Sequence, residues 1–444
     1  MTHRTFAALV VAAAAGLAAP SLATAQEGSR AITFSKDVAP IVQQNCQICH
    51  QPGQIGPMSL ITYQDVRRYS RRIKDLVVNR EMPPYQYDTD VGVQHLKNDW
   101  RLSQADIQTI ADWVDAGSPE GDPADLPAPI TYPDVGEWRF ASKYGQPDHV
   151  IKSTPWTVPA NGQDLWWEPD VPTGITEERC IKAIETKPSV AAHGSTHHAN
   201  SEFLTQNEDG DWVSFARLSE YAYGKLGEEV PADACRIAPV NSEVHWSIHY
   251  YPDGNRVEND QVEVGVWYHE ANDGFNPETA YRQDLRSYGL QGGDFDIPPH
   301  GKLMTQGFHS FDHPIRIDSW QPHEHLRGVA MSLEAYYPDT GRREIISMVS
   351  NWNAGWNHSH IYEDGYQPLL PAGAILILTG WYDNTADNPR NPDPDQWVAM
   401  GQRTTDEMSH AWIAITHLDE EGYQRMLAER EAKPIAMNTT GGAR

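Results

Sequence analysis

The sequence is poor in cysteine, in positive charge and in long apolar runs, and each shortage closes off a class of protein. Only 4 cysteines occur in 444 residues, too few for a small scaffold stapled by disulfides. Lys and Arg number 34 against 61 Asp and Glu, a formal net charge of −27. A phosphate lattice would be repelled by that balance, so nucleic acid is not an expected partner. No stretch approaches the roughly 18 consecutive apolar residues of a membrane span. Helical periodicity is scarce beyond residue 130 until Asp419 to Lys433. What the chain does have is 15 Trp and 19 Tyr, enough to build sizeable cores, and a length suited to two or three domains. It also has 19 His, of which 15 lie between His193 and His417. That crowding hints at metal.

The first 25 residues read as an export signal. Arg4 supplies a small positive start, Phe6 to Ala19 is an Ala-rich apolar core, and Ala23-Thr24-Ala25 is a small-residue cleavage site before Gln26. A periplasmic or secreted protein with no membrane span is expected. The cysteines agree with export and divide into two kinds. Cys180 and Cys235 stand alone, and either pair as a disulfide or remain two unrelated buried thiols.

Cys46 and Cys49 belong to Cys46-Gln47-Ile48-Cys49-His50, the pattern of covalent c-type haem attachment. The two thiols would add to the porphyrin vinyls while His50 ligates the iron. No βαβ pattern or second Cys pair supports a thioredoxin-like or zinc reading. The second axial ligand should be a Met or His further on. Met82, in Arg80-Glu81-Met82-Pro83-Pro84, is favoured over Met58 and His95 because the prolines stiffen its loop. Gln64 to Val78 and Ser103 to Ala116 read as helices, the second with Ser103 as N-cap and Gly117 as its stop. The basic run Arg67, Arg68, Arg71, Arg72 and Lys74 is a solvated helix face, or a dock for an acidic neighbour.

The stretch from Ile32 to Pro127 resembles a short cytochrome c domain, assigned here to residues 26–128. The resemblance is carried by the haem motif, Gln51-Pro52-Gly53, Met82-Pro83-Pro84, Trp113 to Gly117 and Glu120-Gly121-Asp122. It implies His50 and Met82 as axial ligands of one covalent haem.

Pro123 to Pro133 is a linker by composition. After it come β-branched and aromatic runs such as Val262 to Tyr268, Ser332 to Tyr337 and Ala374 to Trp381, separated by turns. About 300 residues of this texture suit two all-β sandwiches, here 129–290 and 291–430, with a tail over 431–444. Three His clusters lie in these strands. His323-Glu324-His325 puts two nitrogens on one face of a strand. His245 and His249 share a face too, and spacing alone does not choose between them. His197 and His198 would face opposite ways unless the strand bulges or ends there. Together the clusters suggest nitrogen-rich copper or zinc sites, and a thioether would favour copper.

Much of Ile175 to Thr416 resembles the type II, ascorbate-dependent copper monooxygenases, the group of peptidylglycine and dopamine hydroxylases. It is most similar to bacterial members preceded by a cytochrome c domain. The motifs are His197-His198, His249-Tyr250-x-Pro252-x-Gly254 and His323-x-His325-Leu326-Arg327-Gly328. To these add Tyr382-Asp383-Asn384-Thr385, Asn388-Pro389-Arg390-Asn391-Pro392 and Thr405-Asp406-Glu407-Met408. The resemblance implies two jelly-roll-like sandwiches facing each other across a cleft. It implies His197, His198 and His249 as ligands of an electron-storing copper. It implies His323, His325 and Met408 as ligands of a catalytic copper where dioxygen reacts. The implied activity is hydroxylation of a C–H bond of a small organic substrate. Electrons would come from an ascorbate-like reductant or redox protein and be relayed through the haem. The competing expectation is an exported haem–copper electron-transfer protein without hydroxylase activity. His245, His358, His360 and His410 have no role in the pattern, and the Asp383 to Asp395 loop is expected to be structural rather than a calcium loop.

Overall fold

A computed structural model describes residues 31–432, apart from 53, 55, 98, 133–135, 223–224, 226, 271–273 and 291–294. The signal peptide expected over 1–25, and nearly all of the tail expected over 431–444, lie outside the described residues.

The N-terminal part is a small helical unit. Its helices Tyr63–Val78 and Gln104–Asp115 each begin with a reciprocal capping box, Thr62 with Asp65 and Ser103 with Asp106. Each cap satisfies backbone N–H groups that a first helical turn leaves unpaired. Gly117, at φ +88°, follows the second helix, where a residue with a side chain would be strained. Phe34, Val38, Val66, Ile73, Ile110 and Trp113 form the unit's core. Phe34 and Trp113 meet with ring centroids 6.0 Å apart.

Between those two helices the chain leaves the helical unit. Tyr85, Tyr87 and Leu96 are buried in the core of the second β half, and Leu96–Lys97 pairs antiparallel with His360–Tyr362. The helical unit is therefore sewn onto the β body by its own loop. The linker at 123–133 is not their sole connection.

The β body is two sandwiches that share one sheet. That sheet has 11 strands. On one side of its middle lie Ile315–His323, His410–His417 and Tyr281–Gly289, and on the other Ala234–Ala238, Arg179–Lys187 and Glu263–Tyr268. The halves join where Ala234 and Cys235 run parallel to Tyr281 and Arg282. Against the first half packs a sheet containing Leu165–Trp167, Glu243–Tyr250, Thr196–Gln206 and Trp212–Ala222. Phe203, Leu218, Trp246, Ile248, Val264 and Val266 fill that space. Against the second half packs a four-stranded sheet, Lys302–Ser310, Ile375–Asp383, Gly328–Tyr337 and Arg342–Val349. Trp320, Met331, Leu333, Leu378, Ile413 and Ile415 fill the second core. Inward residues alternate with outward ones along much of Thr196–Gln206 and Glu243–Tyr250, whereas Ile315–His323 in the shared sheet is buried almost throughout. Cys180 and Cys235 form a disulfide across neighbouring strands near the join, with Cα atoms 4.9 Å apart. Among the described residues no helix is long and apolar enough to cross a membrane.

The join carries a buried polar network. Glu228 receives Arg236 and Lys225, each at 2.9 Å. Arg236 Nε donates to Gln283, whose amide donates to Asp318 at 2.6 Å. Burial alone would raise a carboxyl's pKa, yet Lys225 and Arg236 outweigh it and hold Glu228 down at about 2. A depressed carboxyl stabilises the fold above its unfolded value and loses that contribution as pH falls. Urea unfolding should therefore show about 2 kcal/mol less stability at about pH 3 than at about pH 6 from this group. Glu228→Gln should flatten that dependence, and an unchanged acid slope in the variant would refute the assignment.

Candidate functional site

The strand Thr196–Gln206 pairs with Glu243–Tyr250, and near its start the register slips. His198 lies opposite His249, while the next pair along is Thr196 with Tyr250. His197 is thus the extra residue of a β-bulge. A bulge releases two consecutive side chains from strict alternation, and here it brings both histidines to one side. His197 Nδ1 lies 3.2 Å from His198 Nδ1 and 3.2 Å from His249 Nδ1. Among the described residues these three form the one group of His, Cys, Asp or Glu with ligand atoms all within 4.8 Å of one another.

His249 is held from two sides. Trp166 stacks on its ring at 4.3 Å with planes 4° apart, and the Asp164 carboxylate lies 3.3 Å from Nε2. A carboxylate at the far nitrogen fixes the ring so that Nδ1 faces its partners. Burial lowers the pKa of all three rings; the neighbouring charges lower that of His198 further, and at His249 His197 lowers it while Asp164 raises it. Neutral imidazoles keep their lone pairs, so the cluster presents three nitrogen donors to a common point. His245 does not join them. Its Nδ1 instead meets Asp170 at 2.7 Å, which decides between the two histidines that spacing left open.

The second set stands at the end of Ile315–His323. His323 and His325 have ring centroids 5.2 Å apart. His325 Nδ1 sits 3.1 Å from the Asp406 carbonyl. His323 lies directly across the strand pair from His410, with rings 4.8 Å apart. Burial is the main cause lowering the pKa of His323, His325 and His410, the last to about 3.

Glu407 locks this region. It is fully buried and accepts backbone N–H groups from His325 at 2.8 Å, Arg327 at 2.6 Å and Met408 at 3.3 Å. Burial raises its carboxyl to about 7, against the pull of those three donors. Arg327 Nη1 donates to the Thr405 carbonyl at 2.7 Å. Asn388 donates to the carbonyls of Leu326 and Asp383. At Gly328 a Cβ would meet Glu324 at 2.4 Å and Trp352 at 2.9 Å, so no side chain fits. Three distant motif segments, at 323–328, 382–392 and 405–408, are thereby one hydrogen-bonded knot.

His198 of the first set and His323, His325 and Met408 of the second open onto one cleft of about 250 Å³. His198, Arg217, His245 and Trp166 line it from the first half, and His323, His325, Met408, His410 and Trp412 from the second. Asp164, Trp166, Arg217 and His410 were not legible as site residues. The position of Glu407 beside Met408 was the available signal for its role. His358 and His360 sit behind the cleft among Tyr85, Tyr87, Trp100 and Trp320.

In the helical unit Cys46 and Cys49 are free thiols, although three residues apart. Burial raises both thiol pKa values, that of Cys46 to about 12. His50 Nδ1 is 3.1 Å from the Met58 carbonyl, so its Nε2 remains available to a ligand. Met82 lies half-buried in the turn after Tyr63–Val78, three residues before Tyr85 enters the second core.

No family model matches the chain, and no curated protein matches it. Solved structures similar in part include the infectious bursal disease virus VP2 subviral particle, at 9% identity over 58% of this chain and 76% of that one, TM-score 0.18. The CBM22 tandem domain of Paenibacillus barcinonensis Xyn10C is 10% identical over 62% and 98%, TM-score 0.16. The PBSX exported protein XepA is 9% identical over 68% and 99%, TM-score 0.18. None of them bears on the cleft.

Replacing Glu407 by Ala strands three buried N–H groups. The expected loss of unfolding free energy is about 2–4 kcal/mol. Glu421→Ala, on the exposed start of the last helix, should cost less than about 0.5 kcal/mol. A loss under about 1 kcal/mol for Glu407→Ala by chemical denaturation would contradict the knot.

Proposed function

We propose that this chain is an exported, copper-dependent monooxygenase that hydroxylates a C–H bond of a small organic substrate, with electrons entering through a covalent c-type haem. The observation that carries the proposal is the pair of donor sets at one cleft, which the first set reaches through His198. His197, His198 and His249 offer three converging nitrogens, and His323, His325 and Met408 offer two nitrogens and a thioether. A thioether suits Cu(I), and an all-imidazole trio suits either copper oxidation state. An electron carrier needs a single site and no cleft.

The donor atoms fit the metal. Three rings bring their Nδ1 atoms together in two contacts of 3.2 Å, so a cation at the centre would find three nitrogen donors within reach. Copper held at the two sets supplies one-electron storage and dioxygen chemistry. The chain's own residues do the rest. Asp164 and Trp166 orient His249. Glu407 holds the backbones of His325 and Met408 in one place. Trp166 and Trp412 wall the cleft with aromatic surface, against which a small apolar substrate can lie.

Cys46, Cys49 and His50 fit a covalent haem. The two thiols are free while the other two cysteines are paired, and the His50 ring is fixed by its Met58 contact. Met82 is the proposed second axial ligand, which would give the raised potential of a His/Met haem. The Cys180–Cys235 disulfide supports an oxidising compartment, periplasmic or extracellular.

The test is metal analysis and oxygen uptake on the full-length exported protein after copper loading. Two coppers and one haem per chain are expected, with ascorbate-driven uptake lost in His323→Ala and Met408→Ala and retained in His245→Ala. One copper or none per chain, with uptake indifferent to Met408, would overturn the proposal in favour of an electron-transfer protein.

A further inference from the structure

His358 and His360 belong to neither donor set, yet both are buried. With Tyr85, Trp100 and Trp320 they form a run of rings between the loop of the helical unit and the second β half. Tyr85 meets Trp100 at 5.3 Å and His360 at 5.1 Å between centroids. Trp100 meets His358 at 5.3 Å, and His360 meets Trp320 at 5.9 Å. Trp320 and His360 are also direct partners in the strand ladder. Packing alone does not account for these residue types. Among the described residues the Tyr85 hydroxyl, Trp320 Nε1, His358 Nε2 and His360 Nδ1 have no hydrogen-bond partner. Unmet polar atoms are costly to bury, and Phe or Leu would fill the same space without that cost. What the five side chains share is a π system in contact with the next.

The two ends of the run identify what it joins. At one end Tyr85 follows Met82, the proposed haem ligand, by three residues, and His358 donates to the Pro84 carbonyl. At the other end Trp320 lies on the strand that finishes in His323. Asn357, next to His358 in the chain, lies against the His323 ring. Trp352, packed in the same core, donates Nε1 to the His325 carbonyl at 3.3 Å. Each of these contacts leads to the second donor set.

We propose that Tyr85, His360 and Trp320 form an electron conduit from the haem segment directly to the His323, His325 and Met408 set, without passage through His197, His198 and His249. The proposal rests on the haem and copper reading above and adds a route to it. One electron leaves ferrous haem iron and arrives at Cu(II) of the second set, giving ferric iron and Cu(I). No bond forms or breaks and no proton moves. The chain's part is to hold aromatic rings in contact between the two centres, because delocalised π electrons couple donor and acceptor better than aliphatic side chains do.

Flash photoreduction of the haem tests it, on the full-length exported protein loaded with Cu(II), free of oxygen, with a deazaflavin as photodonor. Reoxidation is followed at the reduced-haem absorption band. Haem content, copper content and haem midpoint potential are measured on each sample. Reoxidation should stay within twofold of the wild-type rate in His197→Ala and slow at least tenfold in His323→Ala. Tyr85→Leu and His360→Leu should each slow it at least fivefold, with copper content and haem potential unchanged. Tyr85→Phe, which keeps the ring, should stay within twofold, separating loss of the conduit from a packing defect. Reoxidation that survives His323→Ala but not His197→Ala, wild-type rates in both leucine variants, or no reoxidation in the wild type would each overturn the conduit. Copper-dependent oxygen uptake in a protein whose haem is never reoxidised would leave the oxygenase reading standing without it. Reoxidation through Tyr85 and His360 in a protein that takes up no oxygen would sink that reading and keep the conduit. A chain that holds no haem or no copper would overturn both.

Discussion

Three backbone N–H groups, those of His325, Arg327 and Met408, end on the one buried carboxylate of Glu407. His325 leaves the sheet after Ile315–His323, while Met408 arrives some 80 residues later, just before His410–His417. Neither segment has local structure that would bring it to the other. A carboxylate in a dry site can accept several strong hydrogen bonds, and it is costly to leave unpaired. Geometry on both sides is therefore fixed by one side chain, and Arg327 and Asn388 extend the same restraint to the Asp383–Asp395 loop. The Met408 thioether and the His325 imidazole face one cleft because a residue with no metal-ligating role holds their backbones, while His323 is placed by its strand pairing with His410.

The opposite wall uses a different device. There the ladder between Thr196–Gln206 and Glu243–Tyr250 is regular until His198, and one inserted residue, His197, re-aims a neighbouring pair of side chains. The sheet beneath is tightly packed, with Trp246, Ile248 and Tyr250 fully buried. The wall carrying His323 and His410 belongs to the shared sheet, whereas the wall carrying His198 and His245 belongs to the sheet packed on its first half, so the two walls meet through the packed core as well as through the ladder at the join. The helical unit is anchored to the same body through Tyr85, Tyr87 and Leu96, which places the Cys46–His50 segment on the scaffold that also carries the cleft.

Much of this was legible in the residues. Helix boundaries in the first unit followed from capping residues and periodicity, since Ser103, Asp106 and Gly117 act locally. The β texture beyond residue 130 was equally plain. Adjacent histidines at 197 and 198 posed a choice between a bulge and an unused ring, and the structure takes the bulge. What the residues could not convey was long-range pairing. The parallel join at Cys235 and Arg282, the insertion of Tyr85 and Tyr87 into a core more than 200 residues away, and the placing of Asp164 and Trp166 around His249 all depend on contacts without a local signature. Arg217 is the clearest example. In sequence it is an unremarked strand residue, and only the fold sets it over Trp412 on the cleft wall.

The central claim is that one cleft holds two metal sites of different donor sets, one of them containing sulfur. X-ray absorption at the copper edge of the reduced, copper-loaded protein tests that most directly. A mixed nitrogen and sulfur environment is predicted for the wild type, with the sulfur contribution abolished by Met408→Ala and the remaining nitrogen shell reduced by His249→Ala. A purely nitrogen and oxygen environment in the wild type, unchanged by Met408→Ala, would contradict the account.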